Sequence, residues 1–175
     1  RRTDAMKVMH LISSGGMYGA ESVILNLSHA LNAGPHQSVI ASFANASNSN
    51  LQLHERAVAE GIESHLVPCR GQVDRAAIAK VRALAAQVCA DVIHAHGYKA
   101  DLYAYFAANG KVPLVSTCHT WYDNDLAARV YGAVDRFVLR TYARVVAVSD
   151  EVRQRLLKAG VREEKIRLIR NGIDL

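Results

Sequence analysis

The chain contains no Cys-x-x-Cys pair. Its three cysteines, Cys69, Cys89 and Cys118, are odd in number and far apart, which excludes a disulfide framework and a cysteine-rich zinc module. Reduced thiols and a cytoplasmic setting are the expectation. No apolar run approaches the length of a membrane span, and the first residues show no secretory leader pattern. Two common phosphate-binding signatures are missing as well. No glycine-rich stretch ends in Gly-Lys-Ser or Gly-Lys-Thr, so there is no P-loop. No Gly-x-Gly-x-x-Gly follows the first apolar run, and no acidic residue follows the second at Ala44-Asn45-Ala46, which argues against NAD. The net charge of +5 over 175 residues favours anionic partners such as phosphates or an acidic membrane surface, and does not call for nucleic acid.

What is present is an ordinary globular composition, half hydrophobic and 21% charged, in a length suited to one domain. Apolar runs alternate with helical patterns almost throughout. Strands are expected at 7–12, 38–43, 62–67, 91–95, 112–118, 144–148 and 165–169. Pro68 is expected to end the third and to open a turn through Gly71. Helices are expected at 22–31, 51–60, 75–88, 100–108, 125–142 and 150–158, with Asp74 and Ser149 as N-caps. The first helix is expected to turn Val23, Leu27, Ala30 and Leu31 inward. This alternation predicts an α/β fold, a Rossmann-like doubly wound parallel sheet of about seven strands.

The organising stretch is Ser13-Ser14-Gly15-Gly16-Met17-Tyr18-Gly19-Ala20-Glu21. It lies between the first strand and the first helix, where free backbone N–H groups and a helix N-terminus favour an anion. By itself it is either a ligand loop or a tight turn. Gly16 serves either close approach of a ligand or a positive φ. Glu21 in the first helical turn suits the helix dipole. Ligands of such sheets sit beyond the carboxyl ends of the strands. There the sequence places His96-Gly97-Tyr98-Lys99, His119-Thr120-Trp121-Tyr122-Asp123, Ser149 and Asn171-Gly172-Ile173-Asp174. That convergence favours the ligand loop.

In order, the chain carries Gly15-Gly16-x-x-Gly19-Ala20-Glu21, Asp91-Val92-Ile93-His94-Ala95-His96, Val115-x-Thr117-x-His119, Val146-x-Val148-Ser149-Asp150 and Ile169-Arg170-Asn171-Gly172-Ile173-Asp174. This set resembles the N-terminal domain of a GT-B glycosyltransferase of the family 4 type. It departs at Arg170, where proline is usual, and in the bulky Met17-Tyr18 filling of the loop. The resemblance implies that residues 1–175 form the acceptor-side domain of a two-domain enzyme whose C-terminal nucleotide-sugar-binding domain lies outside this chain. It implies a retaining hexosyltransferase, as in polysaccharide biosynthesis, that moves sugar from a nucleotide-sugar to a hydroxyl of a glycan or lipid-linked acceptor. It further implies that this domain alone is inactive, with no cofactor and no metal. His119 is the catalytic candidate. Gly15, Gly16 and Gly19 are donor-binding candidates, and Tyr18, His96, Tyr98, Lys99 and Trp121 acceptor-binding candidates. His94, two residues from His96, is expected to pack in the sheet while His96 lines the cleft. A metal site built on these two histidines and His119 has no carboxylate or cysteine to complete it. Arg129, Arg136 and Arg140 share one face of the 125–142 helix, with Arg144 just beyond. They suggest peripheral contact with the inner face of an anionic membrane. The alternatives are a GT-B sugar-nucleotide epimerase and a non-catalytic α/β binding domain.

Overall fold

Parallel strands are covered by helices on both faces, so they need near-continuous apolar runs. The runs Val39-Ile40-Ala41 and Ile93-His94-Ala95 meet that need and lie in strands paired on both sides. The computed structural model describes residues 5–46, 50–71, 73–119 and 137–170. In chain order the elements are β1 (Lys7–Ile12), α1 (Gly19–Asn32), β2 (Gln37–Asn45), α2 (Gln52–Ala59), β3 (Glu63–Cys69), α3 (Arg75–Gln87), β4 (Val92–His96), α4 (Tyr98–Ala108), β5 (Leu114–Cys118), β6 (Arg144–Ala147), α5 (Asp150–Lys158) and β7 (Ile166–Leu168). All strand pairs are parallel, in the order β3-β2-β1-β4-β5-β6-β7. The expected fold class is the observed one.

The order reverses between β1 and β4, which makes that junction the crevice where a ligand would sit. Successive strand residues face opposite sides. Met9, Leu11, Ile93 and Ala95 join α3 and α4 in the larger core, whereas Ile12 and Ile40 pack with α1 and α2. By that alternation His10 lies on the α1 side.

Several expected boundaries move. β3 runs through Pro68 to Cys69 instead of stopping before it. It is an edge strand, where a missing N–H forfeits no partner on the open side. β4 begins at Val92 and reaches His96, because Asp91 is spent as a clasp: its carboxylate accepts the Lys7 N–H at 2.8 Å and its own N–H donates to the Lys7 carbonyl. β5 begins at Leu114, after Pro113. The inward face of α1 is Glu21, Ile24, Leu25 and Ser28, one ridge away from the expected one. Ser28 turns in because its hydroxyl pairs with that of Ser38 at 2.7 Å. The greater part of the expected 125–142 helix, with Arg129 and Arg136, lies outside the described residues.

Both expected caps form. Asp74 accepts the N–H groups of Ala76 and Ala77, and Ser149 accepts that of Val152. Asp74 is held from behind as well, since its own N–H donates to the buried Tyr103 hydroxyl at 2.7 Å. Tyr103→Phe leaves that donor without its acceptor. It is expected to destabilise the protein by about 1–3 kcal/mol. A urea midpoint equal to wild type would show this bond to be dispensable.

Candidate active site

The glycine loop is built around a buried carboxylate. Glu21 is 4% exposed. Its Oε1 accepts the Ser14 hydroxyl at 2.8 Å, and its Oε2 accepts the Tyr18 N–H at 3.1 Å. The Ser14 oxygen in turn accepts the Gly16 N–H at 3.4 Å. Glu21 therefore shapes the loop, a larger role than complementing a helix dipole. Glu21→Ala leaves the Ser14 hydroxyl only the Gly16 carbonyl at 2.9 Å, strands the Tyr18 N–H and frees the loop there. A loss of about 1–3 kcal/mol is expected. An unchanged thermal midpoint would show that the loop holds itself without the carboxylate.

Gly16 lies outside the positive-φ region, so the strain reading of this glycine is set aside. What it permits is closeness. A Cβ there would sit 2.8 Å from the Tyr18 ring, which folds back over it. A Cβ on Gly15 or Gly19 would meet nothing within 4 Å, which leaves open space above the loop. Tyr18 itself is 69% exposed.

On the β4 side, Gly97 follows the strand with φ of +87°, a backbone turn that a side chain would strain. It starts α4 with Tyr98 exposed at the rim. Lys99 is not turned over to a ligand. Its ammonium donates to Asn45 Oδ1 at 2.5 Å and to the Gly71 carbonyl at 3.2 Å. Asn45 Nδ2 donates to Ser13 Oγ at 3.1 Å. Lys99 thus braces the loops after β1, β2 and β3, with its charge 5.3 Å from the Phe43 ring centroid. Its expected contact with an acceptor competes with these bonds.

Beneath the loop lies a stack of imidazoles. His10 pairs in register with His94, Ile12 with His96, and His96 with Thr117. His10, His94 and His96 are all buried, so His96 does not line an open cleft as expected. His10 Nδ1 is 3.2 Å from His96 Nε2, and His94 Nε2 is 2.8 Å from Thr117 Oγ1. His119, one residue past β5, is half-buried and stacks on His96 with ring centroids 5.8 Å apart. Burial lowers the pKa of His119, and the Glu21 carboxylate pulls it back up. Burial is also the main cause that lowers His94 to about 4 and holds His10 and His96 well below the ordinary histidine value. All three buried rings are therefore neutral at pH 7.

The structure thus gathers Gly15, Gly16, Tyr18, Gly19, Glu21 and His119 around one crevice, with His96 underneath. Trp121 and the 171–174 motif lie outside the described residues. His10 was missed by the sequence reading. Its only signal was a polar residue inside an apolar strand, and β4 is not its neighbour in sequence.

Arg140 and Arg144 are only partly available as a membrane face. Arg140 Nε donates to the Ala159 carbonyl at 2.7 Å and Arg144 Nη1 to the Ala143 carbonyl at 2.7 Å. No helix among the described residues is long and apolar enough to cross a membrane.

The fold recurs in solved structures. Anabaena Alr3699/HepE, crystallised with UDP-glucose, superposes with a TM-score of 0.77 at 22% identity, over 97% of this chain and 44% of its own. A glycosyltransferase from Rickettsia africae gives 0.75 at 19% identity, over 98% and 44%. The UDP-GlcNAc 2-epimerase of Methanocaldococcus jannaschii gives 0.65 at 13%, over 95% and 46%. The chain spans less than half the length of each of these proteins. No curated protein sequence matches it. The model of the family described as Glycosyltransferase Family 4 matches residues 17–175. That match takes in most of the chain, including Gly19, His96 and His119, and the seven-stranded sheet agrees with it: the chain belongs to glycosyltransferase family 4.

Proposed function

We propose that this domain forms one wall of the cleft of a two-domain hexosyltransferase. The donor is a nucleotide-sugar, the acceptor a hydroxyl of a glycan or lipid-linked sugar, and the anomeric configuration is retained. The observation that carries this reading is the meeting of the glycine loop, the α1 N-terminus and His119 at the switch of the sheet. The Gly15 N–H and the N-terminus of α1 would approach the donor diphosphate, with Gly16 letting the loop pack closely beneath it. His119, neutral at pH 7, would donate one hydrogen bond to a sugar hydroxyl or to the leaving phosphate. As negative charge develops there, it adds to that of Glu21 and favours the protonated ring. Tyr18, Tyr98, Trp121 and a Lys99 released from its brace would face the acceptor, with His96 supporting His119 from below. The leaving phosphate would take the acceptor proton, and the transfer would need no metal. The similar structure of HepE in complex with UDP-glucose supports the donor class.

Gly16→Val is the direct test in the full-length protein. Its backbone is unstrained, and the atoms in the way belong to the outer ring of an exposed tyrosine. The variant is expected to fold, with an unchanged circular dichroism spectrum, while the branched side chain fills the approach to the loop. Donor affinity measured by calorimetry should fall by about tenfold or more. Normal donor binding by the folded variant would remove the loop from the site. In the same reading, residues 1–175 alone bind nucleotide-sugars weakly and transfer nothing. Micromolar binding by this domain alone would mean that it holds a complete site. For the membrane contact, co-sedimentation with anionic but not neutral vesicles is the expected behaviour.

A further inference from the structure

We propose that His10, His94 and His96 form a binding site for a borderline-soft divalent transition-metal ion, zinc by ligand chemistry. The sequence offered only the His94 and His96 pair. The sheet adds His10 from β1, directly in register with His94. Each of the three residues offers one ligand atom, and these atoms all lie within 4.8 Å of one another. All three stand on neighbouring buried strands, which restrain the backbone under them.

The spacing suits a small ion. His10 Nδ1 and His96 Nε2 are 3.2 Å apart. Two nitrogens bound to one tetrahedral zinc, each at about 2.0–2.1 Å, would be separated by about 3.3 Å. The rings of His94 and His96 lie 4.3 Å apart and those of His10 and His94 5.1 Å, so the third imidazole stands against both of the others.

Hydrogen bonding leaves the same cluster unsatisfied. His10 Nε2 and His96 Nδ1 are buried and have no hydrogen-bond partner among the described residues. One proton is shared between His10 Nδ1 and His96 Nε2. Whichever neutral ring donates it, the other ends in a buried N–H, and the donor's far nitrogen keeps a bare lone pair. A buried lone pair without a donor is costly in an apolar interior; an ion held by His10 Nδ1 and His96 Nε2 takes the place of the shared proton, which then moves onto that far nitrogen. The ligand set also chooses the ion. Imidazoles without carboxylate or carbonyl oxygens suit zinc, copper, nickel or cobalt, and do not suit magnesium or calcium.

The test reads metal, not sugar transfer, and so does not depend on the proposed function. The full-length protein is stripped with chelator, titrated with Co²⁺ and then with competing Zn²⁺. One equivalent of Co²⁺ with the visible absorption of a four-coordinate site is expected, displaced by Zn²⁺ and not by Mg²⁺. His10→Gln should weaken binding by at least about tenfold to a hundredfold, the range reached by even an outer partner of a metal ligand. His29→Gln, at an exposed ring on α1, should change nothing. X-ray absorption of the zinc-loaded wild type should count three imidazole nitrogens, which decides the matter even where His10→Gln fails to fold. Absence of a stoichiometric site, survival of that site in folded His10→Gln, or fewer than three imidazoles would overturn the proposal.

Discussion

Replacing His119 with alanine is expected to lower sugar transfer by the full-length protein by about ten- to a thousandfold. The effect should fall mainly on kcat. The imidazole is poised where charge would develop on the leaving phosphate, and a half-buried donor acts there in a medium of lower dielectric than water. Its removal leaves the glycine loop intact, because that loop is tied to Glu21 by Ser14 and Tyr18. Donor KM should therefore change little. Folding should survive as well, since His119 lies one residue past β5 and outside the sheet ladder. A folded His119→Ala protein with near-normal turnover would remove this residue from the chemistry, and the reading would then rest on the glycine loop alone.

The second large effect is acid instability. His10, His94 and His96 are neutral inside the fold because burial disfavours their charged forms. In the unfolded chain they titrate near the ordinary value of about 6.5. Above that pH neither state binds the extra protons, and the stability is fully present. As pH falls below about 6.5, the unfolded chain takes up protons that the folded chain refuses, so stability declines until the folded pKa values are reached. His94, lowered to about 4, accounts for about 3 kcal/mol of loss by pH 4. His10 and His96 shift in the same direction. Against a typical total of about 5–15 kcal/mol, this is a large fraction of the stability. Urea midpoints measured at pH 7.5 and pH 5, with chelator present to keep the imidazoles free, should drop clearly at the lower pH. A flat or rising midpoint would show that the buried rings take up protons within the fold.

Much of this architecture was legible one residue at a time. Alternating apolar runs and helical patterns specify the element sequence because burial on two faces and on one face leaves different periods. Asp74 and Ser149 announce their helices because a cap acts on N–H groups two or three residues away. Gly15 and Gly16 mark a loop because their freedom is local. His119 could be singled out from its place just after an apolar strand together with the family resemblance of its motif.

Other features needed the sheet. Pro68 ends a strand by local rules, yet β3 carries it because that strand is an edge. Glu21 reads as a helix-dipole carboxylate, and only packing shows both of its oxygens tied to the glycine loop. Lys99 reads as a free cation, and only the neighbouring strand ends reveal its bonds to Asn45 and Gly71. His10 and His94 are 84 positions apart in the sequence, yet they become register partners when β1 crosses to β4. Strand order is a long-range choice, set by which apolar faces bury together. No pattern within one strand encodes its neighbour. The chain by itself determined the elements and the loop that would meet a phosphate. The tertiary structure alone decided that three imidazoles are buried together beneath His119, and burial is what keeps them neutral.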